Sequence, residues 1–298
     1  VPLLFVDQKF DEKILQGLHL PLKKQNISSW KNMIAQLKKK KTATVKIGIV
    51  GKYLATGDYQ LRDSYAALYD ALYHAGVAAN ANIEIVWMNS KQLEDVDDRH
   101  VEQILGKLNG IIVPIGWGAR GVEGKIRAIQ FAREKKIPYL GLCYGMQLAV
   151  IEFARNVLGW KDANSEEVNP KTTHQVIHIL PEHQRILETR AYGGTMRLGN
   201  WDCAVKKGTL AYEIYGIEHT SERHRHRYEF NDAYAKDLEK AGFVISGRSV
   251  KEHLVELIEL PKSVHPFFLG TQGHPEYKSR PLHPHPIFVA FVNAAKKK

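Results

Sequence analysis

The stretch IIVPIGWGARGVEGKIRAIQFAREKKIPYLGLCYGMQLAVIEFARNV (residues 111–157) decides the fold. It opens on a short apolar run, IIVP (Ile111 to Pro114), which reads as a buried strand. EGKIRAIQFAREKK (Glu123 to Lys136) then spaces its apolar residues three and four apart, which predicts a helix. PYLGL (Pro138 to Leu142) is a further apolar strand, and another helix is expected from about Gly145. Strands alternating with helices imply a parallel sheet covered on both faces, whose binding sites gather beyond the carboxyl ends of the strands. The pattern extends backwards. VKIGIVGKY (Val45 to Tyr53) and NIEIVWM (Asn82 to Met88) are predicted strands, while RDSYAALYDALYHAG (Arg62 to Gly76) and DVDDRHVEQILGKLNG (Asp95 to Gly110) are predicted helices ending on glycine. The expected class is α/β, in three layers, with a mostly parallel central sheet flanked by helices.

After Asn156 the chain changes character. HQVIHIL, TMRLGNWDCAV, HRYEFN, FVISGRSV and HLVELIEL predict shorter strands with hairpin or mixed connections, and IFVAFVNAAKKK predicts a closing helix. Residues 1–44 precede the first sheet strand, carry a short helical pattern, FDEKILQGL, and then a basic run, so they read as a lead-in to a unit spanning 45–298. Hydrophobic residues at 44% and charged residues at 25% are ordinary for a globular protein, and nothing approaches the roughly 18 uninterrupted apolar residues of a membrane span. The first residues, VPLLFVDQKFDEK, lack the basic start and small-residue cleavage site of a signal peptide. Only Cys143 and Cys203 are present, too few for a disulfide framework, so a reducing cytoplasm is the expected home. The net charge of +10 favours phosphate-bearing or acidic partners. The basic runs LKKKKTATVK (Leu37 to Lys46) and the terminal KKK contain no aromatic residues to stack bases, so neither nucleic acid nor membrane is an expected partner.

One of the two cysteines stands at the end of a predicted strand, in Gly141-Leu142-Cys143-Tyr144-Gly145. A strand-to-helix turn with glycines on either side lifts a side chain to the sheet edge, because the tight turn has no space for Cβ atoms. The amino end of the following helix favours thiolate over thiol there. Alone, the pattern is also that of an inert buried thiol. A nucleophilic cysteine needs a base, and the base an orienting group. FFLGTQGHPEYKSRP supplies His274 and Glu276. In an extended segment residues two apart point the same way, so Glu276 is expected beside His274, with Pro275 stiffening the spacing. The same tripeptide is also compatible with a surface loop.

GLCYGMQ together with GHPE resembles the class I glutamine amidotransferases. RGVEGKI (Arg120 to Ile126), GGTMRLG (Gly193 to Gly199), ERHRHRYEFN (Glu222 to Asn231) and HPEYKSRP (His274 to Pro281) narrow the likeness to the glutaminase domains of the CTP synthase family, from about Val45 to the end. VPLLFVDQ and the rest of residues 1–44 resemble the linker that joins such a domain to a synthetase domain, whose sequence is missing here. The resemblance implies a flavodoxin-like α/β layering and hydrolysis of L-glutamine, with Cys143, His274 and Glu276 as catalytic triad and a thioester intermediate. It implies oxyanion donors at the amides of Tyr144 and of the Gly116–Trp117 loop. Glutamine contacts are implied at Gly116, Trp117, Tyr144, Gly145, Met146 and Gln147, with Glu167 for the α-ammonium and Arg227 for the α-carboxylate.

By the same resemblance the glutaminase domain itself takes no cofactor. ATP, Mg and UTP belong to the synthetase domain, the ammonia aminates UTP to CTP, and GTP is an allosteric activator in which the Arg120–Gly124 loop is an expected participant. Two alternating histidines, His224 and His226, lack a third partner, so no metal is assigned. The chain departs from the family at Ile115, where a glycine is usual, at Tyr144, often leucine, and at Gly273, often aromatic. The Gly273 departure predicts a loosened or reshaped backbone before the histidine. Two other readings stay open: a glutamine-binding or assembly module without turnover, and a cysteine peptidase or γ-glutamyl hydrolase on a related fold.

Overall fold

The computed structural model describes residues 1–23, 25–52, 55–56, 59–60, 62–180 and 196–298. Tyr53 of the first expected strand, and Gly193 to Thr195 of the GGTMRLG string, lie outside the described residues. Three helices come first, α1 (Pro2–Asp7), α2 (Phe10–Gly17) and α3 (Ser28–Lys38), none with a buried residue. The main unit starts with β1 (Ala43–Gly51), followed by the two-residue strands β2 (Ala55–Thr56) and β3 (Tyr59–Gln60), α4 (Ala66–Ala78) and β4 (Ala81–Asn89). Then come α5 (Asp98–Leu105), β5 (Gly110–Val113), α6 (Val122–Glu134), β6 (Tyr139–Leu142) and α7 (Tyr144–Asn156). Beyond it lie β7 (Asn164–Ser165), β8 (Gln175–Ile179), β9 (Arg197–Val205), α8 (Leu210–Tyr215), β10 (His219–His226), β11 (Tyr228–Phe230), α9 (Ala235–Lys240), β12 (Val244–Ser249), β13 (Val255–Glu259), β14 (Phe268–Thr271) and α10 (Pro286–Ala295).

The strands form a nine-stranded sheet in the order β10-β9-β12-β13-β14-β6-β5-β1-β4, a three-stranded sheet, β11-β8-β7, and a two-stranded one, β2-β3. From β14 to β4 every neighbouring pair is parallel. From β14 to β10 every pair is antiparallel, and this half takes TMRLGNWDCAV, FVISGRSV and HLVELIEL as β9, β12 and β13, whereas HQVIHIL and HRYEFN supply β8 and β11 of the three-stranded sheet. The chain leaves β1 outward to β4, then returns to β5 on the other side of β1 and moves on to β6. Right-handed crossovers in opposite directions place their helices on opposite faces. Accordingly, α5, α6 and α7 pack with Val113 and Tyr139 on one face, whereas α4, α8 and α10 pack with Ile112 and Leu140 on the other. Alternate residues of one short strand thus serve two cores, so β5 and β6 read as unbroken apolar runs. Among the described residues no helix is long and apolar enough to cross a membrane.

Four chain segments emerge side by side at the carboxyl edge of the parallel strands: Lys52 after β1, the loop from Pro114 after β5, Cys143 after β6 and Gln272–Glu276 after β14.

Candidate active site

Cys143 sits between β6 and α7 with φ 53° and ψ −100°, a conformation that side-chain-bearing residues rarely adopt. The flanking glycines explain how it is held. A Cβ on Gly145 would stand 1.9 Å from the Val113 carbonyl oxygen, and one on Gly141 would stand 2.7 Å from the Gly145 carbonyl carbon. The helix therefore starts pressed against β5, and the chain has to turn sharply at the cysteine. The Cys143 amide donates to the Thr271 carbonyl at 2.7 Å, which extends the β6–β14 pairing by one residue and brings the elbow level with the segment after β14.

That segment carries the histidine. His274 is fully buried, and its Nδ1 lies 2.7 Å from Glu276 Oε1. The expected extended geometry is corrected here: Pro275–Tyr277 form a 3-10 turn with His274 at its cap, and the turn, not a strand, folds the carboxylate back onto the ring. Burial works against the imidazolium, but the charges of Glu276 and of the Cys143 sulfur outweigh it and raise the His274 pKa well above its usual value. The Nε2 atom has no hydrogen-bond partner among the described residues, so the proton-carrying face of the ring is kept for the space beside the sulfur. The His274 amide donates to the Arg223 carbonyl at 2.7 Å, fixing the segment to β10.

The departure at Gly273 has a packing cause. A Cβ there would meet Glu222 Cβ at 2.6 Å, so the side chains of Glu222 and His224 fill the volume that a larger residue would need. The Gly273 amide donates to Thr271 Oγ1 at 3.2 Å.

A polar chain connects the sulfur to the far wall. Gln272 Nε2 donates to Cys143 Sγ at 3.7 Å, Gln147 Nε2 donates to Gln272 Oε1 at 3.1 Å, and the same nitrogen donates to the Tyr228 carbonyl at 2.7 Å. Tyr228 in turn lines a cavity of about 100 Å³ together with Trp117, Glu167, Met196 and Arg227. Glu167 and Arg227, 60 residues apart in sequence, are thus brought to one cavity. Burial pushes the Glu167 pKa up, opposed by the Gly118 amide and by the charges of Lys52 and Arg227. Cys143 is not part of that lining and is fully buried. The Met146 side chain lies in the core against Gly270, and Gly145 faces β5, so at these two positions only backbone faces the site.

The loop after β5 is held carbonyl by carbonyl. Lys125 Nζ donates to Pro114 O at 3.3 Å, Tyr65 Oη donates to Ile115 O at 3.0 Å, and Lys52 Nζ donates to the Trp117 and Gly118 carbonyls, the latter at 3.0 Å. The Gly118 amide donates to Glu167 Oε1 at 3.2 Å. Among the described residues the Gly116 amide donates to no protein acceptor. In a trans peptide the C=O and N–H point in opposite directions, so a hydroxyl on the Ile115 carbonyl fixes where the Gly116 N–H points. Sequence reasoning missed Lys52, Tyr65, Lys125 and Gln272. The legible signal was position: Lys52 stands near the carboxyl end of a predicted strand, and Gln272 precedes the histidine by two.

Cys203, the other cysteine, is buried on β9 beside Gly247 of β12, and burial together with Glu256 and Glu222 raises its pKa strongly, which leaves it an unreactive thiol. His224 and His226 contact each other at 2.8 Å within a buried charge network. Among the described residues no group of three or more His, Cys, Asp or Glu could hold a metal ion. In the Arg120–Gly124 segment, Arg120 and Gly121 turn into α6, and a Cβ on Gly124 in its first turn would stand 1.8 Å from the Ser90 carbonyl oxygen.

The family described as glutamine amidotransferase class-I matches residues 60–294. The CTP synthase of Caldanaerobacter subterraneus subsp. tengcongensis is 51% identical over 294 residues, covering 99% of this chain and 52% of that protein. A CTP synthase of Thermus thermophilus is 48% identical over 300 residues, with the same shares. The chain spans about half the length of the curated relatives it matches. Among solved structures, the glutaminase domain of Trypanosoma brucei CTPS with bound acivicin is 40% identical, with a TM-score of 0.77 over 85% of this chain and 94% of that one.

Proposed function

The chain belongs to the class I glutamine amidotransferases, and from that premise we propose that it hydrolyses L-glutamine with Cys143, His274 and Glu276 as its catalytic triad. The observation that carries the proposal is the meeting of two adjacent strand ends: a sulfur held up on a strained elbow, and a buried imidazole paired to a carboxylate at the end of the next strand.

In this reading Cys143 Sγ attacks the side-chain amide carbon of glutamine, and the carbonyl electrons move to oxygen. Gly116 and Tyr144 amides receive the oxyanion, an arrangement that is effective because the donors are placed before charge develops. His274 Nε2 gives its proton to the leaving nitrogen, the C–N bond breaks, and ammonia departs from a thioester. His274 then takes a proton from water, which attacks the thioester and returns the thiolate and glutamate. Glu276 holds the ring and its charge throughout. Gln272 donates to the sulfur and helps to hold it in place at the elbow. Arg227 takes the α-carboxylate and Glu167 the α-ammonium, both in the cavity that also contains Trp117.

The likeness to CTP synthases, which are about twice as long, supports a wider proposal. The ammonia serves amination of UTP to CTP in pyrimidine nucleotide biosynthesis, by a synthetase domain that uses ATP and Mg, with GTP as activator, in the cytoplasm. Residues 1–44 would then be the linker from that domain into the glutaminase unit.

Ammonia release and labelling with diazo-oxo-norleucine test the first proposal together. A single adduct on Cys143 is expected, with both adduct and ammonia release abolished in Cys143→Ala. An adduct on Cys203 instead would refute the assignment.

A further inference from the structure

Lys125 is fully buried, on the inner stripe of α6 with Ala128, Ile129 and Ala132, at a position where helical packing calls for an apolar side chain. Among the described residues it forms no ion pair with a carboxylate. A buried ammonium without a carboxylate is costly, and a methionine of similar volume would avoid that cost. Its surroundings are the active-site floor. Nζ donates to the Pro114 carbonyl at 3.3 Å, lies 2.7 Å from where a Cβ on Gly116 would stand, and is 5.3 Å from the centre of the Tyr144 ring. The titratable groups facing it are Lys52 from the end of β1, the Cys143 sulfur from the elbow, and Tyr144 from α7.

We propose that Lys125 is a positioning residue of the glutaminase site: from beneath the loop it holds the Pro114 carbonyl, and it places one positive charge under the sulfur and the oxyanion. This rests on the glutaminase reading and adds a residue to it. Tyr65 acts from the other side of the same loop, so the two donors fix successive peptides, Pro114–Ile115 and Ile115–Gly116, and with them the direction of the Gly116 N–H. The charge responds to the chemistry. Burial and the charge of Lys52 lower the Lys125 pKa to about 7, while negative charge on Cys143 raises it. A thiolate and an ammonium therefore stabilise each other across the loop, and the ammonium need not be permanent.

The test is the full 298-residue chain and its Lys125→Met variant, which keeps an unbranched apolar stem of similar volume. The pH dependence of Cys143 alkylation by iodoacetamide, followed by peptide mass, is measured beside glutamine hydrolysis. The alkylation midpoint is expected to move up by about one pH unit in the variant, with kcat down about tenfold and KM little changed. A purely structural role would lower kcat without moving the midpoint, and an unmoved midpoint overturns the proposal. Should Lys125→Met not fold, 13C-labelled lysine in the wild-type chain and in Cys143→Ala decides the matter. The Lys125 titration is expected near neutrality and at lower pH once the sulfur is gone; equal midpoints overturn the proposal. Wild-type chain that releases no ammonia would sink the glutaminase reading, separately from the alkylation result.

Discussion

At the scale of single residues, the two cysteines show how environment sets reactivity. Both are buried, but Cys203 faces Glu222 and Glu256, whereas Cys143 faces donors and cations: Gln272, His274 and Lys125. Cys143, His274 and Glu276 were legible in the sequence because an elbow flanked by glycines and a His-x-Glu tripeptide are local patterns. Lys125 was not, since a lysine in an amphipathic helix reads as part of the solvated face until the loop that covers it is known. Replacing Glu276 by Gln keeps the size of the side chain but removes the charge nearest to the His274 ring. The folded His274 pKa lies well above 6.5, so its proton stabilises the fold fully below that value, and the contribution is lost as pH rises through the folded pKa. In Glu276→Gln that pKa falls. The alkaline limb of the pH–rate profile for glutamine hydrolysis is expected to shift to lower pH, with kcat reduced by about two to four orders of magnitude. A profile that keeps its alkaline limb would show that Glu276 does not hold the imidazolium.

At the scale of elements, the site depends on how α7 seats against the sheet. Most elements of the parallel half were readable to within a few residues because their periodicity is a property of the segment itself: IIVP became β5 and PYLGL became β6. The pairing of His274 with Glu276 was readable too, but through the wrong element, because a proline after the histidine starts a 3-10 turn as readily as it stiffens a strand. The seat of α7 can be tested at Gly145, where a methyl group would stand 1.9 Å from the Val113 carbonyl oxygen. Backbone cannot yield as a flexible side chain does. Gly145→Ala is expected to destabilise the chain by about 3 kcal/mol in urea denaturation. It is also expected to lower kcat, because β5 leads directly into the Pro114–Gly118 loop. Unchanged stability would mean that α7 has room to slide.

At the scale of the whole molecule, one buried arginine ties the nine-stranded and three-stranded sheets together. Arg197 on β9 reaches Glu229 on β11 at 3.2 Å and Glu256 on β13 at 2.6 Å, and all three are almost completely buried. His224 and His226 join this network at the β10–β11 corner, on which Arg227 is carried to its cavity. Arg197→Met would leave two carboxyl groups buried without their cation, so a loss of about 3–5 kcal/mol is expected in urea denaturation. A higher KM for glutamine is expected with it, as the corner bearing Arg227 loosens; an unaltered KM would separate the network from the site. No periodicity in the sequence announces such a clamp, since its members come from four strands. The sequence by itself determined the strands and helices of the parallel half and the chemistry available at their ends, because hydrophobic period, glycine placement and side-chain type act over a few residues. Only the tertiary structure decided that the segment after β14 lies beside β6, with Gln272 on a sulfur 129 residues earlier, that Glu167 and Arg227 share a cavity, and that Lys125 is inside. Those outcomes follow from the order in which strands pair and from which charges are thereby shut away from water, and neither is a property of any single segment.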